Sequence, residues 1–212
     1  MKLDKNDMLL YAVTDRTWLG DRTLTDQVED ALKGGATFIQ LREKDLDFDD
    51  FVKEACAIKK LTDAYKIPFV INDAVEVALA VDADGVHVGQ DDMDAGELRK
   101  RIGAKIIGVS ADTVALALKA EADGADYIGV GAIYATATKT EAEVVTFETI
   151  SEICKAVSIP VVAIGGLNET NIHTLKGTGV DGVALVSAIF AKADIIRSTQ
   201  ELRSLSEAMT KS

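Results

Sequence analysis

The sequence predicts an α/β fold, namely a single (β/α)8 TIM barrel. Short apolar runs rich in Val and Ile alternate with longer segments of 3.6-residue periodicity, which is typical of a parallel sheet with crossover helices. Eight such pairs fit into 212 residues, or about 26 residues per unit, near the small end of the barrel size range. No stretch has the composition of a linker, so we predict one domain over residues 1–212. An open doubly wound sheet is the alternative.

The apolar runs and periodic segments define the predicted elements. The predicted strands are Leu9–Val13, Thr37–Leu41, Phe69–Ile71, Gly85–Val88, Lys105–Val109, Tyr127–Val130, Val161–Ile164 and Gly182–Leu185. The predicted helices are Leu24–Lys33, Phe48–Tyr65, Val75–Ala80, Ala95–Arg101, Thr113–Glu121, Phe147–Ala156, Asn171–Lys176 and a segment from Ile189 onward.

The chain is acidic, with 23 Lys and Arg against 35 Asp and Glu and a net charge of −12. This charge disfavours binding to nucleic acid and to anionic membranes. No apolar run approaches the roughly 18 residues that span a bilayer, and the N-terminal residues lack a basic region followed by an apolar stretch. We therefore expect a cytoplasmic protein with neither a nucleic-acid nor a membrane partner. A homo-oligomer is compatible with the sequence.

Cysteine and histidine are too few to suggest a thiol or metal centre. Cys56 and Cys154 fall in helical patterns without a neighbouring His or a Gly-rich turn, and two cysteines make no disulfide framework. His87 lies on the fourth predicted strand, where a histidine is more often a hydrogen-bonded interior residue than a base. We assign no role to His87 or His173.

Polar side chains cluster where the second predicted strand ends, in Gln40-Leu41-Arg42-Glu43-Lys44. Because side chains alternate across a strand, Gln40, Arg42 and Lys44 share one face, while Leu41 faces the helices. Arg and Lys together suit a multiply charged phosphate. The alternative is an ion pair between Arg42 and a glutamate at the barrel mouth. Three polar residues in strict alternation are hard to satisfy structurally, which favours a binding function.

Two aspartates follow neighbouring predicted strands. Asn72-Asp73 comes after the third strand, and Asp92 closes the segment Gly89-Gln90-Asp91-Asp92 after the fourth. Strands in a sheet lie about 4.8 Å apart, so both carboxylates can reach one cation. A few oxygen ligands without His or Cys suit Mg²⁺ that keeps waters and binds phosphate oxygens. In the alternative, Asp73 caps the following helix.

Further polar segments follow the later strands. Ser110 ends the fifth strand and is either a phosphate-binding hydroxyl or the N-cap of the next helix. Thr136-Ala137-Thr138-Lys139 interleaves hydroxyls with small residues and favours an anion, although a solvated loop fits as well. Gly165-Gly166 and Val186-Ser187 follow the seventh and eighth strands, whose loops most often form the phosphate site of such barrels.

Taken in order, seven motifs resemble thiamine-phosphate synthase. They are Gln40–Lys44, Asn72-Asp73, Gly89–Asp92, Gly108-Val109-Ser110-Ala111, Thr136–Lys139, Ile164-Gly165-Gly166 and Val186-Ser187. Each motif is short, but their order and spacing, from about Tyr11 to Phe190, make the resemblance specific. The resemblance implies a barrel transferase that joins 4-amino-5-hydroxymethyl-2-methylpyrimidine diphosphate to 4-methyl-5-(2-phosphooxyethyl)thiazole. Its products would be thiamine monophosphate and diphosphate.

The resemblance also implies a role for each matching residue. Mg²⁺ is the implied cofactor, with Asp73 and Asp92 as its ligands. The implied catalytic residues are Arg42, Lys44, Ser110 and Lys139. The implied residues for binding the two small-molecule substrates are Gln40, Leu41, Arg42, Glu43, Lys44, Asn72, Ser110, Thr136, Ala137, Thr138, Lys139, Gly166, Val186 and Ser187. Among these, the two threonines would contact the thiazole phosphate, and the last three residues would complete the phosphate cradle.

One loop departs from the family pattern, and two other functions compete. The family usually has Gly-Pro before the threonine segment, where this chain has Gly131-Ala132, and the residues after Lys139 also differ. A related thiazole tautomerase or regulatory barrel would be expected to lack parts of the pyrimidine-diphosphate set. A phosphosugar isomerase or epimerase would leave the Asp73 and Asp92 pair unexplained and would need an acid–base couple that the sequence does not show.

Overall fold

The computed structural model describes residues 3–135 and 144–211. Within these residues, eight parallel strands form a closed barrel in chain order, and β8 pairs with β1. The strands are β1 (Leu10–Val13), β2 (Phe38–Leu41), β3 (Phe69–Asn72), β4 (Gly85–Val88), β5 (Ile106–Ser110), β6 (Tyr127–Val130), β7 (Val161–Ile164) and β8 (Gly182–Leu185). The predicted (β/α)8 barrel is confirmed, and the open doubly wound sheet is excluded because the sheet closes on itself.

The helices surround the barrel and follow the predicted pattern closely. Within the described ranges they are α1 (Leu24–Lys33), α2 (Phe48–Tyr65), α3 (Val75–Ala80), α4 (Ala95–Ile102), α5 (Val114–Ala122), α6 (Phe147–Ala156), α7 (Ser187–Phe190) and α8 (Ile195–Thr210). In this part of the chain, none of the helices combines the length and the apolar character needed to cross a bilayer.

Two predicted helices were wrong in detail. The segment expected to be helical over Asn171–Lys176 forms only a short 3-10 helix, Ile172–Leu175. Its buried residues are Ile172 and Leu175, and a spacing of three aligns them on one side of a 3-10 turn. The helix expected from Ile189 onward is divided into α7 and α8, because the Asp194 side chain accepts from the backbone N–H of Arg197 and starts a new helix.

The apolar core has two layers, inside and outside the barrel wall. Ile39 and Leu41 of β2 belong to the larger cluster between strands and helices. Phe38 of the same strand belongs to the smaller cluster inside the barrel. The predicted alternation of side chains along β2 is therefore confirmed, and it directs Gln40 and Arg42 toward the barrel interior and mouth.

Candidate active site

A cavity of about 520 Å³ opens at the carboxyl ends of the strands. The residues that line it come from every strand or from the loop that follows it, as expected for this fold. The following site residues predicted from the sequence line the cavity: Gln40, Arg42, Lys44, Asn72, Asp73, Asp92, Ser110, Gly166, Val186 and Ser187. The structure therefore brings together, at one mouth, side chains that are more than a hundred residues apart in the chain.

Two of the implied substrate-binding residues do not line the cavity. The Leu41 side chain is fully buried in the core between strands and helices. Glu43 points to the outer rim, where its carboxylate accepts from Arg16 Nε at 2.8 Å. Strand alternation turns both side chains away from the cavity, and the substrate-binding role implied for Leu41 and Glu43 remains a prediction from the sequence.

Four further implied residues belong to a segment outside the described residues. Thr136, Ala137, Thr138 and Lys139 all lie between residues 135 and 144. Their proposed contacts with substrate remain predictions from the sequence.

Arg42 and Lys44 supply positive charge at the end of β2. The backbone N–H of Arg42 donates to Thr14 Oγ1 at 3.0 Å, and its guanidinium Nη1 lies 3.6 Å from Asp15 Oδ2. Among the described residues, the ion-pair partner of Arg42 is Asp15 and not a glutamate, because Glu43 pairs with Arg16. Among the described residues, Lys44 has no carboxylate within 4 Å, so its charge is available to a ligand.

The outer rim beside Arg42 is held by a second cluster of charges. The Arg16 guanidinium bridges Glu43 and Glu54 of α2. Burial raises the pKa of Glu43 to about 7, against the opposing effect of its hydrogen bond from Arg16. This cluster anchors the loop after β1 to the end of β2 without reaching the cavity.

Asp73 and Asp92 face each other after β3 and β4. Asp73 has a left-handed backbone (φ 59°), and its N–H donates to the carbonyl of His87 at 2.9 Å. The proposed capping role is wrong, because the N-cap of α3 is Ala74 and no side chain caps this helix. Asp92 Oδ2 accepts from the N–H of Gly89 at 2.8 Å, which fixes its loop. Burial, and then the neighbouring Asp92 carboxylate, raise the pKa of Asp73 to about 6.

This carboxylate pair fits a magnesium ion that retains other ligands. Two acidic groups that repel each other in a partly buried site are stabilised when a divalent cation lies between them. Within residues 3–135 and 144–211, no group of three or more His, Cys, Asp or Glu side chains could hold a metal. A pair of carboxylates without further protein ligands among these residues would leave coordination positions for waters and phosphate oxygens, as Mg²⁺ prefers.

Ser110 lies at the cavity floor and belongs to a chain of hydrogen bonds across the barrel. It is not the N-cap of α5, because Thr113 accepts from Leu116 N–H there. Its Oγ lies 3.0 Å from His87 Nε2, and His87 Nδ1 lies 2.9 Å from the hydroxyl of Tyr127. The chain continues through Tyr11, 2.7 Å from Tyr127, to the amide nitrogen of Gln40.

The floor is uncharged and closely packed. Burial raises the pKa of Tyr11 and Tyr127 and lowers the pKa of His87 to about 4. A Cβ at Gly108 would lie 2.1 Å from Tyr127 Cζ, and one at Gly129 would lie 3.3 Å from His87 Cε1. The sequence reasoning missed this network. Glycine inside strands β5 and β6 was the available signal, because it often marks close approach of another group.

The β7–β8 side of the cavity is built from backbone. Gly165 (φ 99°) and Gly166 (φ 66°) have left-handed conformations. The Gly165 carbonyl accepts from Tyr134 N–H at 3.0 Å, and the Gly166 carbonyl accepts from Asn171 Nδ2 at 2.9 Å. A Cβ on Gly166 would lie 2.6 Å from Tyr134 Cβ. Close packing against the loop after β6 therefore requires glycine here and fixes this part of the cavity wall.

Neither cysteine lines the cavity. Burial raises the pKa of the Cys154 thiol to about 12, so it stays protonated at neutral pH.

Known proteins resemble this chain in sequence and in fold. The profile of the family described as thiamine monophosphate synthase matches residues 10–189. A thiamine-phosphate synthase of Clostridium tetani is 51% identical over 197 residues, which are 92% of this chain and 94% of that relative. A solved thiamine phosphate pyrophosphorylase from Pyrococcus furiosus superposes with a TM-score of 0.90 at 39% identity, covering 97% of this chain and 98% of the other.

A second likeness extends to the fold alone. A solved 3-hexulose-6-phosphate synthase superposes with a TM-score of 0.65 at 18% identity, over 93% of this chain and 99% of the other. The full-length matches at higher identity carry the assignment instead. This chain belongs to the thiamine monophosphate synthase family.

Proposed function

We propose that this chain is a magnesium-dependent thiamine-phosphate synthase. It joins 4-amino-5-hydroxymethyl-2-methylpyrimidine diphosphate to 4-methyl-5-(2-phosphooxyethyl)thiazole, forming thiamine monophosphate and releasing diphosphate. The observation that carries the proposal is the convergence of Arg42, Lys44, Asp73 and Asp92 on one cavity. Relatives with about half of their residues identical over nearly the whole chain are named for this activity.

The charges on the β2–β4 side suit a diphosphate that leaves during the reaction. Asp73 and Asp92 would hold Mg²⁺, which neutralises negative charge on diphosphate oxygens when it is bound. Arg42 and Lys44 would bind the remaining oxygens, Arg42 through its planar fork and Lys44 as a point charge. Ser110 and Asn72 line the same part of the cavity and would position the pyrimidine or its diphosphate.

The bond changes need no general base from the protein. The bond between the pyrimidinylmethyl carbon and the diphosphate oxygen breaks, and its electron pair leaves with diphosphate. The aminopyrimidine donates electron density to the resulting cation, and the thiazole nitrogen then forms the new carbon–nitrogen bond with its lone pair. The thiazole nitrogen carries no proton. His87, partly buried and hydrogen-bonded through both ring nitrogens, is consistent with such a course.

The β7–β8 side suits the phosphate of the thiazole, which stays attached throughout. Gly166, Val186 and Ser187 line the cavity there, and backbone amides in such loops bind phosphate without a charged side chain. Holding this group would orient the thiazole nitrogen toward the reacting carbon. Thr136, Thr138 and Lys139 are proposed partners from the sequence. A cytoplasmic location and self-association are likewise predictions from the sequence.

The phosphosugar isomerase alternative has no specific support. It would use the β7–β8 side and leave the Asp73 and Asp92 pair without a task. Its acid–base chemistry also requires a titrating group at the reacting carbon, whereas burial keeps the pKa of His87 near 4.

The test is incubation with both substrates and Mg²⁺, followed by quantification of thiamine monophosphate and diphosphate. We expect the two products in equal amounts, loss of both after EDTA, and recovery when excess Mg²⁺ is restored. A barrel of the tautomerase or regulatory type would form neither product. Turnover that EDTA leaves intact would refute the magnesium site while leaving the transferase assignment standing.

A further inference from the structure

We propose that Tyr11, Tyr127 and His87 are positioning residues that set the Ser110 hydroxyl as a hydrogen-bond donor toward the substrate. The proposal rests on the function proposed above and adds to it a role for Tyr11 and His87, which line the cavity, and for Tyr127, which is buried beneath it. Five strands contribute to the chain of hydrogen bonds, which runs from Gln40 on β2 to Ser110 on β5.

The direction of the chain follows from counting hydrogens. The Gln40 amide nitrogen can only donate, so the Tyr11 oxygen accepts from it. Tyr11 is 1% exposed, and its single O–H hydrogen has Tyr127 as its acceptor at 2.7 Å. Tyr127, fully buried, then has its own hydrogen left to donate to His87 Nδ1 at 2.9 Å. Each buried hydroxyl therefore accepts from one neighbour and donates to the next.

This direction decides the tautomer of His87. A ring nitrogen that accepts carries no hydrogen, so the ring hydrogen lies on Nε2. That N–H donates to Ser110 Oγ at 3.0 Å. Ser110 is then an acceptor toward His87 and keeps its own hydrogen free for the cavity. If the tautomer were reversed, Ser110 would donate to His87 and would offer only lone pairs to a ligand.

Two glycines make room for this network. A Cβ at Gly108 would lie 2.2 Å from the Tyr127 hydroxyl and 2.5 Å from His87 Nδ1, so any side chain there would displace the bond between them. A Cβ at Gly129 would lie 3.3 Å from His87 Cε1, a tighter contact than usual but less severe than the one at Gly108. Glycine within a strand weakens it, so its use at two neighbouring positions indicates that the His87–Tyr127 contact needs this space.

A fixed donor at Ser110 matches the chemistry of the ligand. Diphosphate oxygens and pyrimidine ring nitrogens are acceptors, and each would take the Ser110 hydrogen. A donor that is oriented before substrate binds need not reorganise when charge develops on the leaving group. The tyrosines and His87 would thus act on the reaction through Ser110 without themselves moving a proton.

The first test reads the tautomer directly and needs no substrate. Nitrogen-15 NMR of the imidazole in the ligand-free protein should show His87 protonated at Nε2 and unprotonated at Nδ1. In Tyr127→Phe, which removes the donor to Nδ1, we expect this preference to weaken or reverse. Protonation of His87 at Nδ1 in the unaltered protein would overturn the proposal. A protein that shows the expected tautomer but makes no thiamine monophosphate would instead refute the proposed function.

The second test is a double-mutant cycle on the pyrimidine diphosphate kcat/KM. Tyr127→Phe should lower it about tenfold. Because Tyr127 acts through Ser110, the double variant Tyr127→Phe/Ser110→Ala should be no slower than Ser110→Ala alone. Multiplicative losses would mean that Tyr127 has only a structural role and would overturn the proposal.

Two further variants complete the second test. Tyr65→Phe removes a tyrosine hydroxyl from the exposed end of α2, far from the cavity, and should leave the kcat/KM unchanged. Tyr11→Phe breaks the same chain one bond earlier and replaces Tyr127→Phe in the cycle if that variant does not fold. Thermal unfolding of each variant separates loss of folded protein from loss of rate.

Discussion

The β2–β4 side and the β7–β8 side of the cavity are both proposed to hold phosphate, yet they are built from different groups. The first presents charged side chains, namely Arg42, Lys44, Asp73 and Asp92. The second presents glycine backbone and the start of α7, where Gly166 is enclosed by the loop after β6. Charge is concentrated where the proposed diphosphate departs, and neutral backbone lies where a phosphate stays attached.

The difference has a physical reason. A leaving group gains negative charge as its bond breaks, so charged groups and a metal contribute more to the transition state than to the bound substrate. A phosphate that does not react develops no additional charge in the transition state, so charged groups beside it would not accelerate the reaction. It needs only a fixed position, which rigid backbone provides at low entropic cost. The comparison predicts that damage to the charged side lowers the rate, whereas damage to the backbone side weakens the binding of one substrate.

The largest effect is expected from Asp92→Asn. The substitution keeps the size of the side chain and removes half of the carboxylate pair that we propose holds Mg²⁺. We expect kcat to fall by about a thousandfold and the Mg²⁺ concentration for half-maximal rate to rise. Asp91→Asn, at the exposed neighbouring residue, is the matched control and should stay near the unaltered rate. Equal losses in both variants would contradict the metal assignment.

An intermediate effect is expected from Gly166→Ala on the backbone side. The new Cβ would meet Tyr134 at 2.6 Å in a left-handed residue, so the wall must shift. We expect the KM for the thiazole phosphate to rise about ten- to a hundredfold, with a smaller change in the KM for the pyrimidine diphosphate.

Gly177→Ala is the control for backbone strain alone. Gly177 is also left-handed (φ 85°), but its Cβ would have no neighbour within 4 Å. This control should lose about 1 kcal/mol of unfolding free energy and keep both KM values. If Gly166→Ala raised the two KM values equally, the division of the cavity into two sides would be wrong.

The smallest effect concerns the rim cluster next to the charged side. Because burial raises the pKa of Glu43 from 4.5 to about 7, the folded state holds this proton more tightly than the unfolded state. The raised pKa of Glu43 therefore contributes to the stability of the folded state. This contribution is complete below pH 4.5 and is lost as pH rises through 7. Glu43→Gln cannot ionise, so its unfolding free energy relative to the unaltered protein should increase over this window. Urea unfolding from pH 4.5 to 8 measures the difference in unfolding free energy between the two proteins. If the free energy of the variant relative to the unaltered protein decreased with pH, the pKa of Glu43 would be lowered in the folded state and not raised.

Much of the charged side could be predicted from the sequence, because it depends on local rules. Alternation along β2 puts Gln40, Arg42 and Lys44 on one face, and the barrel order puts the ends of β3 and β4 side by side. The same alternation predicted that the Leu41 side chain packs between the strands and the helices, although the resemblance had included Leu41 with the substrate-binding residues. The helix bounds were predictable where the apolar period was long, and they failed for Ile172–Leu175, where two buried residues do not define a period.

The sequence by itself determined the alternating strand and helix units and the chemistry available at the strand ends, since these follow from the apolar runs, the 3.6-residue period and residue type. Closure of the sheet into a barrel was established by the structure. Only the tertiary structure decided which polar groups meet across the barrel. Tyr11 and Tyr127 are 116 residues apart and share a hydrogen bond. Glu43 pairs with Arg16, although Arg42 is its neighbour in the sequence. Such contacts depend on how the closed sheet sets the relative heights and tilts of its strands, which no local pattern along one strand can specify.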